Sequence, residues 1–138
     1  MVTSLYFAYG INMDARSMAI RCPAAKPVGG FVLKNWELKF YSHATVEPKR
    51  HAQCAGLLWL ITPECEQSLD RFEGYPSYYT KQTWRQDGQE FFFYEMAGYR
   101  SGTPGSSYVN SIADAYKDWR LPRHLLDQAL IPLTQHAT

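Results

Sequence analysis

The stretch Leu5-Tyr-Phe-Ala-Tyr-Gly-Ile-Asn-Met13 combines a glycine turn with a strand pattern before it and a helix pattern after it. Leu5–Tyr9 are the apolar and aromatic residues of a buried strand, Gly10 frees the backbone to turn, and Asn12 is a suitable helix cap. Backbone N–H groups at such a turn, in front of a helix, bind a carboxylate, a phosphate or a developing oxyanion. Because the loop lacks the repeated glycines of nucleotide-binding motifs, a tight turn without a ligand is the alternative.

Glu73 is the candidate for proton transfer. It stands in the last turn of a predicted helix, directly before Gly74, where the helix dipole disfavours a carboxylate. Aromatic residues between positions 72 and 79 would also remove water from it, so both effects predict a raised pKa. The alternative is an exposed glutamate that tolerates a cost of about 0.3–1 kcal/mol. Asp70, one helical turn earlier, could form a carboxylate pair with Glu73 or lie on a solvated face beside Arg71.

Other reactive residue types carry weaker signals. None of the histidines stands at metal-ligand spacing, so surface or capping roles and no metal site are predicted for His43, His51, His124 and His136. Cys54 could act as a nucleophile beside one of these histidines, although a buried thiol is the commoner fate. Tyr108, at the start of a predicted helix, could offer its hydroxyl to a ligand or only pack.

Composition excludes several classes of function. The 138 residues carry 14 Lys and Arg against 13 Asp and Glu, so the net charge of +1 predicts no nucleic-acid partner. No segment has the pattern of a signal peptide or the roughly 18 apolar residues of a membrane span, so we expect a cytosolic protein. Cys22, Cys54 and Cys65 lack paired spacing, which predicts buried thiols rather than a disulfide or a zinc site. The length predicts one domain, residues 1–138, and the aromatic content of 15% predicts an aromatic core and pocket wall.

The first half of the chain predicts one helix and several strands. A helix covers Asn12–Arg21 and stops before a proline. Val28–Leu33 and Trp36–Tyr41 predict the two strands of a hairpin, and residues 42–53 predict an exposed loop. Ala55–Ile61 is a continuous apolar run, typical of a central strand.

The second half predicts a helix, a hairpin and two further helices. The first helix begins with Thr62 and Pro63 and ends at Gly74. Asp87-Gly88 predicts a hairpin within residues 78–96. One later helix covers Tyr108–Trp119 and the other begins near Pro122. Together these elements predict an α+β domain of six or seven strands, with helices packed outside a small curled or closed sheet.

Two segments together resemble the γ-glutamylcyclotransferase-like family. Tyr6-Phe-Ala-Tyr-Gly-Ile-Asn-Met13 resembles its Tyr-Gly-Ser-Asn loop, and Leu69-Asp-Arg-Phe-Glu-Gly74 resembles its Leu-Asp-x-x-Glu-Gly segment. Arg21-Cys-Pro23 is similar to the family's Arg-x-Pro. Tyr108-x-x-x-Ile112 and Leu121-Pro122 are similar to its carboxy-terminal helix and turn. The resemblance therefore spans nearly the whole chain.

The resemblance implies a small mixed β-barrel with flanking helices. It also implies an enzyme that cyclises a γ-glutamyl amine or γ-glutamyl amino acid to 5-oxoproline and releases the free amine, with Glu73 as general acid/base. The partner would be this small-molecule substrate, and no metal or organic cofactor would be needed. Backbone amides of the glycine loop would hold a substrate carboxylate. The implied substrate-binding residues are Tyr9, Gly10, Ile11, Asn12, Tyr79 and Tyr108.

The chain departs from the family pattern at two places near this site. Ile11 stands where the family has serine. In the carboxy-terminal region, Arg120 stands where the family usually has glycine, and Ala113-Asp114 replaces small residues. Ile11 keeps the backbone amide but adds bulk, which leaves the choice of substrate open. Two alternatives to the cyclotransferase remain at this point. One is a non-catalytic module that uses the pocket for a small carboxylate or a protein partner, and the other is an acyl transferase that uses Cys54.

Overall fold

The described residues, 2–98 and 100–135 of a computed structural model, form a five-stranded mixed sheet and four α-helices. The strands are β1 (Ser4–Ala8), β2 (Lys26–Phe40), β3 (Ala44–Ile61), β4 (Tyr79–Gln86) and β5 (Gln89–Met96). Their order in the sheet is β2-β3-β1-β5-β4, with β1 antiparallel to β3 and parallel to β5. The α+β class is confirmed, and the strand count is five rather than six or seven. His136 lies outside the described residues.

The helices are α1 (Ala15–Arg21), α2 (Pro63–Glu73), α3 (Ser106–Asp118) and α4 (Arg123–Gln135). The prediction that Asn12 caps the first helix is wrong, because Ile11–Met13 form a separate 3-10 turn before it. Asp14 is the cap, and its carboxylate accepts a hydrogen bond from the Ser17 N–H at 2.9 Å. Thr62 caps α2 as predicted, accepting from the Cys65 N–H at 3.3 Å. Asn12 is therefore free for another role.

The longest hairpin of the fold consists of β2 and β3. The predicted hairpin of Val28–Leu33 and Trp36–Tyr41 is wrong, since both segments, apart from Tyr41, belong to β2. Most of the predicted loop at residues 42–53 belongs to β3. A bulge explains the error. Asn35 has a φ of 71°, and its Oδ1 accepts a hydrogen bond from the His51 N–H at 3.0 Å. The turn-like and polar residues mark this irregularity within a continuous pair of strands.

The two edges of the sheet approach each other without forming a backbone ladder. The side chain of Gln86 on β4 bridges them. Its Oε1 accepts from the Lys34 N–H, and its Nε2 donates to the Val32 carbonyl, both at 2.9 Å. Trp36 and Trp84 pack edge to face across the same gap, with ring centroids 5.5 Å apart. The sheet is therefore curled but open, and the closed β-barrel implied by the resemblance is corrected.

Aromatic side chains fill the core inside this curl, as the composition predicts. Phe7 and Phe93 are fully buried, and their ring centroids lie 6.3 Å apart. β1 and β3 approach closely at Gly56, where a Cβ atom would lie 2.5 Å from the Ala8 carbonyl oxygen. A glycine is required there because only hydrogen fits between the two backbones.

The cysteines divide into a bonded pair and one free thiol. Cys22 and Cys65 form a disulfide that joins the end of α1 to the first turn of α2, so the prediction of three free thiols is wrong. The two residues are 43 positions apart, and only the packing of the helices brings them together. Cys54 is free and buried, as predicted.

Within residues 2–98 and 100–135, no helix has the length and hydropathy needed to cross a membrane. The cytosolic location stays a prediction.

Candidate functional site

A cavity of about 370 Å³ opens where β1, α1, α2 and the tip of the β2–β3 hairpin meet. Its lining includes the seven residues singled out from the sequence, which are Tyr9, Gly10, Ile11, Asn12, Glu73, Tyr79 and Tyr108. It also includes residues that were not predicted as part of the site, which are Tyr6, Arg21, His43, Ala44, Phe72, Tyr78 and Tyr94. The fold thus brings the glycine loop and the carboxyl group of Glu73, more than 60 positions apart, into one cavity.

The glycine loop runs from β1 into the 3-10 turn. The turn closes with a hydrogen bond from the Met13 N–H to the Gly10 carbonyl at 3.0 Å. A Cβ atom at Gly10 would lie 3.3 Å from the Tyr108 hydroxyl oxygen, a contact tighter than side chains normally make. Gly10 therefore lets Tyr108 approach the loop, which joins the first turn of α3 to the cavity wall.

Asn12 lies at the buried end of the loop, with 2% of its surface exposed. Its Nδ2 donates to the Tyr6 hydroxyl at 3.2 Å, and its backbone carbonyl accepts from the Trp59 indole N–H at 2.9 Å. The side-chain Oδ1 has no hydrogen-bond partner among the described residues. A buried acceptor without a donor costs free energy, so Oδ1 is a natural point for a ligand N–H to bind.

Glu73 is the last residue of α2, and Gly74 ends the helix in the left-handed conformation with a φ of 66°. Its side chain is half-buried in the cavity wall and forms no hydrogen bond or ion pair with any described residue. Burial raises the pKa of Glu73 from 4.5 to about 7, and the charge of Arg21 opposes this rise. The predicted direction of the shift is confirmed, with loss of hydration as its main cause.

Arg21 belongs to the Arg21-Cys-Pro23 motif noted in the sequence, but the sequence analysis did not place it in the site. It is the last residue of α1, and its Nη1 donates to the Ser17 carbonyl at 2.7 Å. The guanidinium carbon lies 3.5 Å from the centre of the Phe72 ring, and Nε is buried without a hydrogen-bond partner. The sequence signal for this role was a basic residue at the end of the helix that follows the glycine loop. Helix α1 begins after the loop, and its last residue lines the same cavity as the loop.

Tyrosine hydroxyls line much of the cavity, and the backbone of Ala44 holds two of them. The Tyr79 hydroxyl donates to the Ala44 carbonyl at 2.7 Å, and the Ala44 N–H donates to the Tyr108 hydroxyl at 3.0 Å. Burial raises the pKa of Tyr108 to about 12, so its hydroxyl is protonated at neutral pH. Because this oxygen accepts from Ala44, its own proton is available to a ligand in the cavity.

Comparison with sequence models of protein families identifies the family of this chain. The model described as gamma-glutamyl cyclotransferase, AIG2-like, matches residues 6–121. The chain belongs to this family. The match covers both the glycine loop and the Glu73 segment, as well as Arg21 and Tyr108. A search among curated proteins found no match.

Solved structures share the fold of this family member. A protein named gamma-glutamyl cyclotransferase is similar at 24% identity with a TM-score of 0.82, over 93% of this chain and 86% of that one. An uncharacterized protein from Homo sapiens is similar at 26% identity with a TM-score of 0.80, over 92% and 86% of the two chains. YkqA from Bacillus subtilis is similar at 20% identity with a TM-score of 0.74, over 99% of this chain and 54% of its own.

Three residues that the sequence offered as reactive candidates do not take part in the site in the role considered for them. Cys54 is fully buried outside the cavity lining, and burial raises the pKa of its thiol, which contradicts the role of nucleophile. Asp70 accepts from the Tyr94 hydroxyl at 2.6 Å and forms an ion pair with Lys81 at 2.9 Å. It therefore supports the wall behind the cavity. His43 lies at the rim, where its ring packs edge to face on Tyr108.

Proposed function

We propose that this protein is an enzyme that cyclises a γ-glutamyl amine or γ-glutamyl amino acid to 5-oxoproline and releases the free amine. The observation that carries the proposal is the half-buried carboxyl group of Glu73. It has a pKa of about 7 and no partner among the described residues, and it lines one cavity with the Gly10 loop. Membership of the gamma-glutamyl cyclotransferase, AIG2-like, family supports the same reaction.

Glu73 is the proposed general acid/base. The α-amine of the substrate attacks its own γ-carbonyl carbon and forms the C–N bond of a five-membered lactam, while the Glu73 carboxylate takes the amine proton. The bond from the γ-carbon to the departing nitrogen then breaks, and Glu73 returns the proton to that nitrogen. A pKa near 7 suits both transfers, because the carboxyl group gains and loses a proton at similar cost near neutral pH.

The loop and its neighbours are the proposed substrate-binding residues. Backbone N–H groups of Tyr9, Gly10, Ile11 and Asn12 hold the α-carboxylate of the glutamyl group. The unpartnered Oδ1 of Asn12 accepts from the attacking amine and orients it towards the carbonyl. Tyr79 walls the pocket and Tyr108 closes it, and the free hydroxyl proton of Tyr108 is available to the oxyanion formed during attack. This chemistry requires no metal or organic cofactor.

The test is the formation of 5-oxoproline by the purified protein from a panel of γ-glutamyl amines and γ-glutamyl amino acids. The matched variants are Glu73→Gln and Glu64→Gln, because Glu64 is an exposed glutamate in the first turn of the same helix. We expect Glu73→Gln to lower kcat about 10²–10⁴-fold and Glu64→Gln to leave it unchanged.

Two outcomes would contradict the proposal. Equal rates for Glu73→Gln and the wild type would exclude Glu73 as the acid/base. Panel compounds that raise the melting temperature without any 5-oxoproline would identify the non-catalytic binding module instead. The bulk of Ile11, which stands where the family has serine, makes that second outcome worth measuring.

A further inference from the structure

Arg21 places a positively charged guanidinium group in the lining of the cavity. Its described contacts are the Ser17 carbonyl, which is neutral, and the face of the Phe72 ring. It forms no ion pair with an acidic side chain among the described residues. Nε is buried and has no hydrogen-bond acceptor in the described part of the chain. A partly buried charge with an unused donor is an unfavourable arrangement unless a ligand completes it.

The two acidic groups whose charges reach Arg21 do not fill this need. The carboxylate of Asp14 already accepts from the Ser17 N–H and from the Ser17 hydroxyl, at 2.9 Å and 2.8 Å. Glu73 forms no ion pair or hydrogen bond with the guanidinium group among the described residues, and the two charges interact only over a longer distance. An anion in the cavity is therefore the missing partner of Arg21. A planar carboxylate matches a guanidinium best, because two parallel N–H groups can bind its two oxygens.

The number of carboxylates separates the two substrate classes that the proposed function leaves open. A γ-glutamyl amine has one carboxylate, which the Gly10 loop holds in that proposal. A γ-glutamyl α-amino acid has a second one, two bonds from the departing nitrogen that Glu73 protonates. Arg21 lines the same cavity as Glu73, which is where this second carboxylate has to lie.

We propose that Arg21 binds the carboxylate of the departing amino acid, so that the protein acts on γ-glutamyl α-amino acids in preference to γ-glutamyl amines. This inference rests on the proposed function. The surface next to the guanidinium also indicates which side chain the released amino acid carries. Phe72 and Tyr78 both line the cavity and are 45% and 46% exposed, and the Arg21 guanidinium covers one face of the Phe72 ring. An apolar or aromatic amino acid fits this rim best.

The test uses two compounds that differ only in the carboxylate, γ-glutamyl-phenylalanine and γ-glutamyl-phenethylamine. Their kcat/KM values are compared in the wild type, Arg21→Gln, Arg21→Lys and Arg16→Gln. Arg16 is the matched control, because it is an exposed arginine on the same helix. Assays run well above pH 7, where Glu73 is ionised in every variant, so a change in its pKa does not alter the comparison.

We expect the wild type to prefer the amino acid on the order of tenfold to hundredfold, the effect of a charge-assisted hydrogen bond. Arg21→Gln should abolish the preference, Arg21→Lys should retain part of it, and Arg16→Gln should retain all of it. Equal kcat/KM values for the two compounds in the wild type would overturn the inference. So would an Arg21→Gln variant that slows both compounds by the same factor, because Arg21 would then act on the glutamyl group or through Glu73.

A binding measurement separates this inference from the proposed function. The rise in melting temperature is measured for each protein with each compound, whether or not 5-oxoproline forms. If neither compound is cyclised but the amino acid stabilises the wild type more than Arg21→Gln, the proposed function fails and the role of Arg21 stands. If both compounds are cyclised and stabilise Arg21→Gln as they do the wild type, the role of Arg21 fails and the proposed function stands.

Discussion

Replacement of Glu73 by glutamine should change stability in a way that depends on pH. In the folded protein the pKa of Glu73 is about 7 against an ordinary value of 4.5, so the folded state holds a proton that the unfolded state has lost across this window. Stability from this group is therefore complete below about pH 4.5 and declines as pH rises through 7. Glutamine, which is similar in shape, does not titrate and should remove the decline.

The size of the effect follows from the shift. At about 1.36 kcal/mol per pKa unit, the rise from 4.5 to about 7 corresponds to about 3.4 kcal/mol in total. Between pH 5 and pH 8, where both states titrate incompletely, the expected change is about 2.5 kcal/mol. Between pH 5 and pH 8, the free energy of unfolding of Glu73→Gln should therefore rise by about 2.5 kcal/mol relative to that of the wild type. The residue proposed for catalysis would then destabilise the fold at the pH where it works.

Urea denaturation at pH 5 and pH 8 measures this difference directly. The comparison covers the wild type, Glu73→Gln and Glu64→Gln, the last of which removes an exposed carboxylate from the same helix. Other titrating groups affect all three proteins alike and cancel in the differences. A stability difference between Glu73→Gln and the wild type that is the same at both pH values would refute the reasoning, because Glu73 would then have an ordinary pKa in the folded state.

Two further outcomes are expected. The value of kcat/KM should rise with pH, with an apparent pKa near 7. Arg21→Gln should shift this apparent pKa upwards, because the guanidinium charge lowers the pKa of Glu73. An apparent pKa that stays the same in the variant would contradict the coupling. Cys65→Ser should lower the free energy of unfolding by about 4 kcal/mol in oxidising buffer, the chain-entropy value for a cross-link spanning 43 residues. Reductant should remove most of this difference, and an equal loss with and without reductant would assign the effect to packing instead.

The features that sequence predicts well depend on neighbouring residues. Thr62 and Pro63 start α2, and Gly74 ends it, because caps and left-handed glycines act within a few positions. Asp87-Gly88 turns the β4–β5 hairpin for the same reason. The direction of the pKa shift of Glu73 agrees with the prediction made from its place at the end of α2 among aromatic residues, and burial is its main cause.

The features that sequence missed depend on contacts between distant residues. Asn35 carries a turn signal, but its partner His51 belongs to a strand that pairs over 13 positions, and pairing turned the expected loop into a bulge. Cys22 and Cys65 meet only because α1 and α2 pack together. The Arg21-Cys-Pro23 motif gives Arg21 no role, and its unpartnered Nε is apparent only in the folded structure, where Arg21 lines the cavity.

The backbone hydrogen bonds of Ala44 allow the side chains at the tip of the β2–β3 hairpin to be changed without loss of the contacts to the pocket tyrosines. Both bonds to the tyrosines come from the main chain, so the tyrosines keep their anchor whatever side chains the tip carries. Ser42 and His43 lie directly before this anchor, and His43 forms part of the rim. Laboratory evolution of a new specificity can therefore begin with a small library at Ser42 and His43. Such a library would reshape the entrance while the sheet register and the Glu73 carboxyl group stay in place.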